Sequence, residues 1–155
     1  MRTLYVLSGL PGSGKSTWAE DFKKTHKEPT FIIASDDIRV ELGGYPQYFK
    51  EEAKVWELFY SRMNEPLIYN DVNVIMDSTC LEDRFRKMVL EKAKNFDRKV
   101  LVFFNISPSI CKARNENRES DRRVKESAMD MMIENFHYPS EEVISMYDSI
   151  LVISF

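Results

Sequence analysis

Gly9-Leu10-Pro11-Gly12-Ser13-Gly14-Lys15-Ser16 satisfies G-x-x-x-x-G-K-[ST] at every position, a spacing of residue types suited to holding phosphate. Glycines let successive backbone N–H groups turn inward around phosphate oxygens with no Cβ in the way. A helix starting just beyond adds its unsatisfied N–H groups and the positive end of its dipole. Lys15 can then reach the β- and γ-phosphates of a nucleotide, and the Ser16 hydroxyl can ligate Mg²⁺. Gly9, Pro11, Gly12, Ser13, Gly14, Lys15, Ser16 and Thr17 therefore form the expected nucleotide-binding set, with Ser16 as the metal ligand. The bland alternative is a Gly-rich turn that only caps a helix. It does not require the full motif between an apolar strand and a helix.

The motif leaves the fate of the nucleotide open, because switches, ATPases and kinases share it. Ser35-Asp36-Asp37-Ile38-Arg39 follows directly on the apolar run Phe31 to Ala34. In an open α/β sheet ligands bind outside the carboxyl ends of the strands, so Asp36 and the phosphate loop should face one crevice. A carboxylate there can accept the proton of an attacking hydroxyl. Arg39, three residues on, shares its helical face and could bind an acceptor phosphate or orient the carboxylate. Capping of the next helix by Ser35 or Asp36 is the competing role. Val72-Asn73-Val74-Ile75-Met76-Asp77 is an apolar strand ending in Asp, the pattern of a strand whose carboxylate holds Mg²⁺. Arg84, Arg86 and Lys87 follow it, with a solvated helix face as their bland role, preferred for Lys87 and left open for Arg84. The densest basic stretch runs from Lys112 to Lys125 and includes Arg114, Arg118, Arg122 and Arg123. A lid there would close guanidinium charge over transferring phosphate, while interleaved Glu116, Glu119 and Asp121 allow a plain surface helix. His26 and His137 lack metal-ligand spacing, and Cys80 and Cys111 form no CxxC.

These residues need a scaffold. Short apolar runs at Leu4 to Leu7, Phe31 to Ala34, Val72 to Met76, Val100 to Phe104 and Ile150 to Ile153 are mostly continuous, as in strands buried on both faces. Helical periods lie between them: after Lys15, after Asp37, from Tyr48 to Met63 ending near Pro66, around Ser109 to Glu116 and from Lys125 to His137. Thr79-Cys80-Leu81-Glu82 predicts a capping box opening a helix to about Asn95. Alternating strand and helix means an α/β fold with helices on both faces of one sheet. The 155 residues suit one domain, and a net charge of −3 excludes a global basic field, so nucleic-acid contact would need a local patch. The sequence predicts a cytoplasmic chain with reduced cysteines, no membrane contact and no obligate protein partner.

GLPGSGKSTWAEDF, then SDDIR, then a strand ending in MDST, then ARNENR, resembles the kinase domain of phage-type 5′-polynucleotide kinases over nearly the whole chain. The resemblance implies an adenylate-kinase-like P-loop fold over residues 1–155, with five parallel strands ordered 2-3-1-4-5 and a small lid at about 112–125. It implies ATP and Mg²⁺ as cofactors and the 5′ end of DNA or RNA as acceptor and partner. It also implies Lys15 and Ser16 on phosphates and metal, Asp36 as general base, and Arg39 and Asp77 on the acceptor side with Asp77 orienting Arg39. Arg118 would stabilise the transferring phosphoryl, with Arg114 beside the nucleotide. Val124-Lys125 departs from the Val-Pro frequent after the lid, and a phosphatase D-x-D signature is absent, so no 3′-phosphatase activity is expected. Related kinases act on modified DNA bases, nucleosides, nucleotide sugars or antibiotics, the alternative acceptors. A guanine-type switch would carry N/T-K-x-D, which does not occur here.

Overall fold

A computed structural model describes residues 1–154. Five strands, β1 (Arg2–Ser8), β2 (Thr30–Ala34), β3 (Val72–Asp77), β4 (Arg98–Asn105) and β5 (Ser149–Ser154), form one sheet ordered β2-β3-β1-β4-β5. All pairings are parallel. Every residue of β3 is buried, Asn73 and Asp77 along with its apolar residues, whereas edge strand β5 keeps Leu151 and Val152 exposed. Alternate side chains divide the core between the two faces. Leu4, Val6, Val74 and Met76 pack with α3 (Glu52–Asn64), α4 (Asp83–Lys92) and α7 (Glu141–Met146). Leu7, Ile75, Val102 and Phe104 pack with α1 (Lys15–Thr25), α5 (Pro108–Glu116) and α6 (Glu126–Asn135). No helix of the described residues is long and apolar enough to cross a membrane.

The register places the chemistry. Ala34 pairs with Asp77, so the chain leaving β2 emerges beside the last residue of β3. It enters α2 (Ser35–Gly43) at once, one turn earlier than the expected start after Asp37. Ala34 is the N-cap and no side chain caps, so neither Ser35 nor Asp36 is used that way. Asp36 and Asp37 instead sit in the first turn, where the helix dipole favours negative charge.

Three local expectations are corrected. The helix expected from Tyr48 begins at Glu52, because the Tyr48 ring lies on Gly43, where a Cβ would be 2.0 Å from it. The capping box does not form: α4 starts at Asp83 after Glu82 and ends at Lys92. The Thr79 carbonyl accepts from the Gly9 N–H at 2.9 Å and that of Cys80 accepts from Ser8 Oγ at 2.7 Å, which pulls this segment onto the end of β1. Cys80 takes φ 45° to make the turn. Arg86 is fully buried rather than solvated. It pairs with Asp83 and donates to Ser8 Oγ and to the carbonyls of Leu81 and His137, which compensates the desolvation of its charge.

Candidate active site

Between β1 and α1 the chain curls around its own amides. Gly12 (φ 83°) and Gly14 (φ 96°) adopt left-handed conformations, and Gly14 is the N-cap of α1. Lys15 is buried and donates from Nζ to the carbonyls of Gly9 and Leu10, both at 2.9 Å. Burial pushes its pKa down; the charge of Asp77 pulls it back up and that of Arg118 lowers it further. Ser13 Oγ is buried without a hydrogen-bond partner among the described residues. A Cβ on Gly9 would come within 2.6 Å of that oxygen and 2.8 Å of Phe104 Cβ. An unpartnered hydroxyl in a loop of inward-turned glycines fits a phosphate-bearing ligand.

Gly12 cannot be exchanged cheaply. Its Cβ would lie 2.6 Å from the Cys111 carbonyl, at a φ that strains any other residue. Gly12→Ala is expected to lower unfolding free energy by about 1–3 kcal/mol and to weaken nucleotide binding sharply. Urea unfolding and a nucleotide titration measure both. Wild-type binding by this variant would remove the loop from the site.

At the first turn of α1, Ser16 Oγ donates to Asp77 Oδ2 at 2.9 Å. Burial raises the pKa of Asp77, while Lys15 and the Ser16 hydrogen bond lower it. A hydroxyl and a buried carboxylate touching beside a phosphate loop are the oxygen donors that suit Mg²⁺. Asp36 projects into solvent from the adjoining strand end, its side chain 61% exposed, whereas Arg39 is 10% exposed. Arg39 Nη1 donates to Asp36 Oδ1 at 2.9 Å, and its Nε and Nη2 form a bidentate pair with Glu52 at 3.0 and 2.7 Å. Its guanidinium carbon lies 5.3 Å from the Phe49 ring centre and 5.6 Å from that of Trp56. Burial works against the Arg39 charge, but the bonds to Glu52 and Asp36 outweigh it and raise the pKa. Asp77 therefore does not orient Arg39, contrary to the resemblance. Asp77 is engaged by Ser16, and Glu52 and Asp36 hold the arginine. No sequence signal marked Glu52, which lies thirteen residues from Arg39 at the start of another helix.

The expected lid is two things: residues 112–116 belong to α5, and residues 117–125 form the loop after it. Asn115, buried, closes the base of that loop. Its Nδ2 donates to the Val124 carbonyl at 2.7 Å, and its Oδ1 accepts from the Val124 N–H at 2.9 Å. Arg114 Nη1 donates to the Gly12 carbonyl at 3.2 Å, tying α5 to the phosphate loop. Arg118 shares a cavity of about 450 Å³ with Gly14, Thr17, Trp18, Phe104 and Arg114. Two aromatic walls and two arginines beside a phosphate loop suit a nucleoside and its phosphates. Arg122 is close enough to Asp37 for its charge to lower that carboxyl's pKa, although burial and Asp36 raise it more. The structure thus brings Lys15, Ser16, Asp77, Asp36 and Arg39 to the carboxyl edge of the sheet, with Arg114 on α5 and Arg118 in the loop after it lining the cavity beside the phosphate loop.

A protein-family model described as an AAA domain matches residues 4–139. The 2′,3′-cyclic-nucleotide 3′-phosphodiesterase of Pongo abelii is 26% identical over 106 residues, 65% of this chain and 23% of that protein. The chain thus spans less than a quarter of that relative's length. Among solved structures, Chaetomium thermophilum Kti12 in complex with ADP-AlF3 superposes with a TM-score of 0.71 at 16% identity, covering 98% of this chain and 89% of that one. A chain of the Pnkp1/Rnl/Hen1 RNA repair complex superposes with a TM-score of 0.73 at 17% identity, covering 95% and 46%. These likenesses establish the P-loop kinase-like fold.

Proposed function

The chain belongs to the AAA domain family, whose model covers residues 4–139, and we propose that it is an ATP-dependent kinase that phosphorylates the 5′-hydroxyl of DNA or RNA. The observation that carries the reading is Asp36. This exposed carboxylate is held by a buried arginine at the strand end next to Asp77, Ser16 and Lys15. A nucleotide switch has no use for a base placed there; an acceptor alcohol does. Both the Kti12 likeness, with its bound ADP-AlF3, and the RNA-repair likeness support the reading.

In the proposed reaction Asp36 takes the proton of the acceptor hydroxyl as its oxygen bonds to the γ-phosphorus. The bond from that phosphorus to the β–γ bridging oxygen breaks, and ADP leaves. Arg39 keeps Asp36 turned towards the acceptor. Lys15 and Arg118 supply positive charge where the phosphoryl oxygens need it. Ser16 and Asp77 would hold Mg²⁺, which when bound neutralises phosphate charge.

A 5′-terminal nucleotide of a strand carries its own 3′-phosphate, and a phosphate and a carboxylate compete for the same guanidinium fork. Glu52 occupies that fork on Arg39. Glu52→Gln keeps the shape and removes the competing charge. The ratio of kcat/KM for a nucleoside 3′-phosphate over the free nucleoside is expected to rise by roughly three- to tenfold, about 1 kcal/mol of released competition. Equal losses on both acceptors would mean that Glu52 only braces Arg39 and that the acceptor phosphate binds elsewhere.

A further inference from the structure

Beyond Asp77, a second cavity of about 270 Å³ opens between α3 and α4. Its walls are Trp56, Tyr60, Cys80, Phe85 and Met88, with Thr79 among its polar groups. The segment lining one side is fixed to the phosphate loop, through the bonds from Gly9 N to the Thr79 carbonyl and from Ser8 Oγ to the Cys80 carbonyl. Trp56 belongs to both places: the Arg39 guanidinium carbon lies 5.6 Å from its ring centre, and it also lines the cavity. Asp36, Arg39, Trp56 and the cavity are therefore consecutive in space. Burial pushes the Tyr60 hydroxyl and the Cys80 thiol up to about 12, so the lining carries no charge at neutral pH. Phe85 and Met88 remain 40% and 38% exposed at the mouth, apolar surface that the core does not use.

An aromatic, uncharged pocket with a few polar atoms accepts a flat neutral ring. We propose that it holds the nucleobase of the acceptor's 5′-terminal nucleotide, stacked against Trp56, while the 5′-hydroxyl of the same sugar meets Asp36. This assignment rests on the kinase reading above. Base and hydroxyl are carried on one ribose, and the two protein groups that would meet them are separated by one side chain, Arg39. A sugar or an aliphatic alcohol would place the hydroxyl and leave the aromatic walls bare.

The test compares two oligonucleotides that share every phosphate and the 5′-hydroxyl and differ only in whether the first residue carries its base or is abasic. The abasic acceptor is expected to show a KM about tenfold higher with kcat little changed, the loss of one base–aromatic contact. Met88→Trp fills the pocket from α4 without touching Arg39. It is expected to shrink the gap between the two acceptors to under about twofold, because the pocket no longer admits a base. Equal KM values for both acceptors with the unaltered protein, or a gap that survives Met88→Trp, would overturn the pocket while leaving the kinase intact. Transfer to neither oligonucleotide, with transfer to another alcohol, would overturn pocket and acceptor together.

Discussion

Lys15→Ala is expected to yield a folded protein whose phosphoryl transfer has fallen by roughly 10²–10³-fold or more, the scale for losing one preorganised charge at a developing anion. The fold should survive the substitution. Its ammonium is buried, with its pKa pushed down by that burial, and it is held only by two loop carbonyls. The substitution relieves that desolvation but leaves the Gly9 and Leu10 carbonyls without their donor, so a net loss of about 1–3 kcal/mol is expected, which a folded domain tolerates. The lost charge also matters to Asp77, since Lys15 is the main positive charge opposing the burial of that carboxylate. Single-turnover rates and a urea melt separate the effects, and full activity in Lys15→Ala would end the ATP-kinase reading.

Asp36→Asn should reduce turnover by about 10²–10⁴-fold, the usual contribution of a positioned general base. Asparagine preserves an oxygen for the Arg39 Nη1 bond, and the Asp36 side chain is largely exposed, so neither the helix nor the loop should notice. ATP should bind with near-normal affinity. Asp77→Asn is different in kind: it removes the carboxylate bonded to Ser16 and should raise the Mg²⁺ requirement. If Asp36→Asn keeps its turnover and Asp77→Asn alone abolishes it at saturating Mg²⁺, the proton goes to the other carboxylate.

Much of this site is written in short, local patterns. The loop from Gly9 to Ser16 and the apolar run ending at Asp77 needed only their immediate flanks to be recognised, and continuous Val/Ile/Phe runs mark buried parallel strands. Strand order followed from the resemblance of the motifs; periodicity alone does not order strands. What escaped depends on groups distant in sequence. Glu52 reaches Arg39 from another helix, and Asn115 pins Val124 across the lid loop. A solvated face is the bland role for Arg86, as for most arginines on an amphipathic helix, yet Ser8 and the His137 carbonyl complete its shell from far along the chain. The Thr79 capping box lost to a tertiary bond, since Gly9 claims the Thr79 carbonyl.

The central claim is tested most directly by incubating the protein with γ-labelled ATP, Mg²⁺ and a 5′-hydroxyl oligonucleotide, then mapping the label. The expected result is label confined to the 5′-terminal phosphate, dependent on Asp36 and accompanied by stoichiometric ADP. Label in an internal base, equal transfer to unrelated small alcohols, or no transfer beside ring opening of a 2′,3′-cyclic nucleotide would contradict it.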